Sequence, residues 1–171
     1  MKKLHLSVLL ALMSGVSMHA LAGFRWVNIG VNGMTCSMCT RSVEMSVRRL
    51  NFVDSVVMSL EKTEGRIYVK AGAPVDLKGI ARAVVNAGFS VRFVQIEFDF
   101  DDVRVASDGS FTYQGQPFVW VDFKDGSAKG TVTLALVDEG FLPKKESALW
   151  KKKVVMPNGK TDQKIYHVTR V

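Results

Sequence analysis

The chain of 171 residues has only two cysteines, four prolines and three histidines, and each scarcity excludes something. Two cysteines cannot supply the four-ligand pattern of a structural zinc site, nor a framework of several disulfides. Beyond residue 22 the only histidine is His167, so no histidine-rich ligand cluster is written into the chain. No stretch reaches about 18 consecutive apolar residues, so no membrane-spanning helix is expected. There is no Gly-x-Ser-x-Gly, no Walker-type phosphate loop and no His-Glu-x-x-His, and without such a constellation the chain does not read as an enzyme. The net charge of +7 is modest and lacks basic and aromatic interleaving on one surface, so no nucleic-acid partner is expected. Lys144-Lys145 and Lys151-Lys152-Lys153 read as a solvated face rather than a site for anionic lipid or an acidic partner.

What the chain does have is both cysteines in one short stretch, Gly33-Met34-Thr35-Cys36-Ser37-Met38-Cys39, where an apolar strand gives way to a helix. Two thiolates on one tight loop can reach one ion, and soft sulfur selects thiophilic metals over Mg or Ca. With no second ligand pair, a low-coordinate ion such as Cu(I) or Hg(II) fits better than Zn(II), which stays a further candidate. Cys39, and less clearly Cys36, should lie at the first turn of the helix, where unpaired backbone N–H groups favour negative charge. The rival readings are a structural disulfide and a thiol-disulfide redox centre, since exported cysteines tend to pair. Against a thioredoxin-like centre, Ser37-Met38 lacks the Gly-Pro or Pro-His type of pair between the cysteines.

Export itself is read from Lys2-Lys3, the apolar run Leu4 to Val16, and Ala20-Leu21-Ala22, which together fit a secretory signal peptide over residues 1–22. Cleavage near Ala22 would leave a periplasmic or secreted chain of roughly 150 residues, enough for two small domains. Residue 23 is glycine, so lipid anchoring at this cut is not indicated.

Val27, Ile29 and Val31 share one face of an alternating strand from Trp26 to Val31. Val43, Val47 and Leu50 follow Cys39 at helical spacing, with Arg41, Glu44, Arg48 and Arg49 outward. Val53 to Leu60 and Arg66 to Lys70 form a hairpin around a polar turn at 61–65. Asp76 caps a second helix carrying Leu77, Ile80, Ala81 and Val84 on one face, Gly88 stops it, and Ser90 to Val94 is the last strand. The order strand, helix, strand, strand, helix, strand predicts an α+β, ferredoxin-like βαββαβ sandwich. Met58 is in phase with Val56 and Leu60 and reads as core. Met38 should face solvent, where its soft sulfur can alternatively meet a partner or a third coordination position. Thr35 and Ser37 are expected to shape the loop through hydrogen bonds, and His167 to be an ordinary strand residue.

Gly33-Met34-Thr35-Cys36-x-x-Cys39, Ser42-Val43-Glu44, Val53-Asp54-Ser55-Val56 and Ala87-Gly88-Phe89 together resemble the heavy-metal-associated domain of copper chaperones, copper-transporting ATPases and periplasmic mercury-binding proteins. The likeness runs from Trp26 to Phe93. It implies Cys36 and Cys39 as the metal ligands, Met34 as a buried prop, Phe89 as the aromatic beside the site, and Cu(I) as the first choice of ion. It also implies an envelope metal transporter or metal-accepting protein as partner. Phe52 departs from the pattern, where a glycine commonly precedes the second strand.

From about Gln95 the character changes, and residues 95–171 are read as a small, mostly antiparallel β domain. Glu97 to Asp102 is taken as an edge strand. Further strands are expected at 111–113, 118–123 and 131–137, with a short helix from Pro143 to Lys153 burying Leu149 and Trp150. A hairpin follows around Pro157-Asn158-Gly159, and the whole suggests a small barrel. Tyr113, Trp120, Trp150 and Tyr166 are read as core rather than as a binding face. No oligomeric state is read from the sequence.

Overall fold

The computed structural model describes residues 23–124, 126–154 and 165–171. The expected leader and the Pro157-Asn158-Gly159 turn lie outside them. The elements are β1 (Gly23–Asn32), α1 (Ser37–Arg48), β2 (Val53–Ser59), β3 (Glu64–Val69), α2 (Leu77–Asn86), β4 (Ser90–Asp99), β5 (Ser110–Tyr113), β6 (Gln116–Trp120), β7 (Thr131–Leu136), α3 (Lys144–Lys151) and β8 (Tyr166–Arg170). Among the described residues the eight strands join one sheet in the order β2-β3-β1-β4-β7-β8-β6-β5.

The first half is α+β with the predicted order of elements. Val27, Ile29 and Val31 are buried from β1, Val43 and Val47 from α1, and Leu77, Ile80 and Val84 from α2, so the apolar stripes at periods 2 and 3.6 meet in one layer of core. Each such side chain contributes roughly 1.5–3 kcal/mol by leaving water. The Asp76 carboxylate accepts from the Gly79 N–H at 2.8 Å, and Gly88 carries the positive φ of 90° that ends the helix. Phe52, the departure from the family pattern, is buried, and its carbonyl accepts from the Lys70 N–H. Met58 packs its sulfur toward Gly65, as a gap-filling core side chain does.

The second half corrects several expectations. β4 does not stop at Val94 but runs to Asp99, because Val94, Ile96 and Phe98 keep the same buried face. Glu97 to Asp99 is therefore inner strand, not edge, with β1 on one side and β7 on the other. The expected boundary at residues 94 and 95 falls within this strand. The sheet ends at β2 and β5 without closing, so the described residues form no barrel, and β6 lies parallel to β8. Pro143 is the N-cap residue of α3, and Leu149 is 63% exposed, leaving Ser147 as the buried residue of that helix.

Aromatic rings fill the layer behind β4 to β8. Phe98 meets Phe24, Phe100, Phe111 and Tyr113 at centroid distances of 4.6–5.7 Å, and Phe118 stacks between Phe111 and Tyr166. Trp120 and Tyr166 are thus core, as predicted. Burial, reinforced by Asp76 and Asp138, raises the Tyr166 phenol above its ordinary 10.0, and burial likewise raises Tyr113. Because the folded state holds these protons more tightly than the unfolded chain, their contribution is complete below pH 10 and is lost as the pH climbs through the raised values. Stability measured by urea titration is expected to fall above about pH 10, with a shallower slope in Tyr166→Phe; identical slopes would contradict this.

Candidate metal-binding loop

The site is the connection between β1 and α1, at the end of the sheet where β1 stops. Val31 is fixed in the core, and the chain turns at Gly33, whose φ of 85° a side chain rarely adopts. Met34 then dives under the loop and is 1% exposed. It anchors the backbone from below, the role the resemblance implies for it. Phe89, the residue before β4, lies beside the loop, its Cδ1 3.8 Å from where a Gly33 Cβ would stand.

Cys36 is the N-cap of α1, in extended conformation, and its sulfur accepts from the Cys39 N–H at 3.2 Å. Both cysteines therefore belong to the helix entrance, Cys36 as cap and Cys39 in the first turn. The free N–H groups there favour negative charge on sulfur. Thr40 closes the loop, donating both its N–H and its hydroxyl to the Cys36 carbonyl at 3.1 Å. Thr35 and Ser37 were the expected loop-shaping residues; this work falls to the Cys36 sulfur and Thr40. The spacing that placed Cys36 before a helix could have exposed this, since residue i+4 of any N-cap donates to the cap carbonyl.

The two sulfurs are joined as a disulfide, with Cα atoms 5.2 Å apart. Reduction takes two electrons and two protons and gives two thiols on the same short loop. Cys36 is exposed and Cys39 half-buried, so solvent reaches the pair chiefly at Cys36. Among the described residues no group of three or more His, Cys, Asp or Glu side chains is placed to hold an ion. Once reduced, the donor set among the described residues is two sulfurs, which suits a low-coordinate soft cation better than tetrahedral zinc.

Met38 is 71% exposed and follows Cys36 by two helical positions, on a different side of the helix from the capping sulfur. Met45 is also exposed, one heptad on, so the two form an apolar stripe on the outer face of α1. His167 is remote from this loop, on β8, with β4 and β7 between it and β1. It is buried, its N–H and Nδ1 both held by the Asp138 carboxylate at 2.7 Å, which makes it a strand-tying residue.

The family model for the heavy-metal-associated domain matches residues 29–90. The copper chaperone CopZ of Bacillus subtilis (strain 168) is 39% identical over 62 residues, which cover 36% of this chain and 87% of the chaperone. Copper-transporting ATPase 1 of Rhizobium meliloti (strain 1021) is 32% identical over 80 residues, 47% of this chain but only 9% of the ATPase. Among solved structures, a copper binding domain from HMA7, a P-type ATPase, shares 28% identity at a TM-score of 0.37, covering 42% of this chain and 92% of that one. Oxidized MerP from Ralstonia metallidurans CH34 shares 24% at 0.36, covering 39% and 90%.

Proposed function

The chain belongs to the heavy-metal-associated domain family, and from that premise we propose that it is an exported carrier which takes up Cu(I) through Cys36 and Cys39 and hands it to a metal-accepting partner of the cell envelope. The observation that carries this reading is the donor set: two sulfurs at a helix entrance, reached by solvent chiefly at Cys36, with no third protein ligand of the usual kinds among the described residues. An ion held by two thiolates keeps open positions, so a partner thiolate can enter before one of these leaves. Transfer then passes through shared sulfur coordination and never releases a free ion. The protein's part is to present the pair and keep water and other donors from its inner side, where Met34 and Phe89 stand. It binds and passes on an ion without making or breaking a covalent bond in a substrate, so the role is that of a carrier, not a catalyst.

The disulfide is the form that cannot carry. A dithiol reductant or a reductase would open it, and each bound Cu(I) would displace the thiol protons. Reduced protein is expected to retain one Cu(I) per chain against a Cu(I) chelator, and the oxidised protein none. Failure of the reduced chain to hold Cu(I) would remove the proposal; retention of Hg(II) alone would change the cargo to mercury.

A further inference from the structure

The β4 strand carries one residue more than β1 where the two enter the site end of the sheet. Gly30 stands opposite Phe93 and Val31 opposite Val91, so Arg92 is the extra residue of a bulge. Bulges re-aim a side chain, and this one sends the Arg92 guanidinium across the sheet to the β2–β3 turn. There Nη2 donates to the Lys62 carbonyl at 2.9 Å, the Thr63 hydroxyl at 3.2 Å and the Glu64 carboxylate at 3.2 Å. The guanidinium also stacks over Phe93 at 4.9 Å, and the Phe93 ring occupies the space where a Gly30 side chain would stand.

The residue so held is in an unfavourable conformation. Thr63 has φ of +52°, a left-handed region that a β-branched residue rarely adopts. Its carbonyl accepts from the Val31 N–H at 2.9 Å. Val31 is two residues before Gly33, so this bond fixes the root of the cysteine loop.

We propose that Arg92 is a positioning residue for the Cys36–Cys39 loop, acting through the Thr63 backbone, an inference that rests on the carrier reading for its metal readout. Arg92 holds the strained turn, the turn holds Val31, and Val31 sets where the loop leaves the sheet. Charge is a poorer account of its role, because the Glu64 carboxylate beside it offsets the field it would project. All three bonds come from Nη2, and a lysine keeps the charge but not the planar guanidinium that stacks on the Phe93 ring and aims that nitrogen at the turn.

The test uses the full reduced chain with Arg92→Gln, Arg92→Lys, and Arg92→Gln combined with Thr63→Gly. Glycine adopts a positive φ without penalty, so the turn no longer needs the guanidinium. Both single variants are expected to bind Cu(I) about 10-fold more weakly and to change the rate at which Cys36 reacts with iodoacetamide, while the double variant recovers both. Full recovery with lysine alone, no change in Arg92→Gln, or no rescue by glycine would each overturn the proposal. Wild-type protein that binds no Cu(I) would defeat the carrier reading, and the alkylation rates would still decide the role of Arg92.

Discussion

Cys36→Ser/Cys39→Ser is expected to lower Cu(I) affinity by more than about 1,000-fold, roughly 4 kcal/mol at 1.4 kcal/mol per decade. Serine hydroxyls are hard donors and stay protonated, so the variant offers a soft ion nothing of matching character. Each single serine variant should approach the double, because a two-ligand site has no spare donor and the losses cannot add. The fold should survive. Serine is a strong N-cap residue and can accept from the residue 39 N–H as the Cys36 sulfur does. The disulfide closes a loop of only three residues in sequence, so removing it frees little chain entropy in the unfolded state. Chelator competition on reduced proteins, with far-UV circular dichroism as the fold control, reads the result. Equal copper retention by wild type and the double variant would eliminate Cys36 and Cys39 as the ligands.

Phe98→Ala should be the most damaging single change to the fold, by about 3–5 kcal/mol. Phe98 is fully buried on β4 and touches rings from β1, from the segment after β4, and from β5. Its removal leaves a cavity at the seam where the two halves share one strand. Because β4 pairs with β1 on one side and β7 on the other, neither half keeps a complete sheet without the other. Calorimetry is therefore expected to show one transition for the chain, shifted down in Phe98→Ala. Two separated transitions, of which only one responds, would show instead that the halves unfold as independent units.

The parts of the molecule legible in the sequence were those governed by short-range periodicity. Val27, Ile29 and Val31 announced a half-buried strand, Val43 and Val47 a helix face, and Asp76 a helix start, and each lies where its spacing demanded. The cysteine loop was legible too, because two thiols three residues apart must sit together whatever the rest of the chain does. Arg92 gave no such signal. It reads as one more outward charge on a strand, and its meaning depends on a bulge that only strand register creates. Thr63 was equally silent, since a threonine in a polar turn predicts no particular φ.

The second half shows the same divide. Alternation located β5, β6 and β7, and of the four aromatic residues read as core Trp120 and Tyr166 are buried, whereas Tyr113 is only partly buried against the core and Trp150 is half-buried outside it. That alternation could not say which strands would be neighbours. The acidic residues from Glu97 onward suggested an exposed edge, yet Glu97 on the inner strand β4 satisfies its carboxylate by accepting from the Thr133 hydroxyl on β7 at 2.7 Å. A polar residue can thus sit on an inner strand when a neighbouring strand supplies its partner.

By itself, then, the amino-acid order determined the local elements, the buried faces and the pairing of two sulfurs, because each depends on residues within a few positions of one another. Only tertiary structure decided that β7 would add to β4 and join both halves in one sheet, and that a distant arginine would brace the root of the cysteine loop. Those outcomes depend on hydrogen bonds and contacts between segments about 30 residues or more apart, whose register is chosen by the whole core at once.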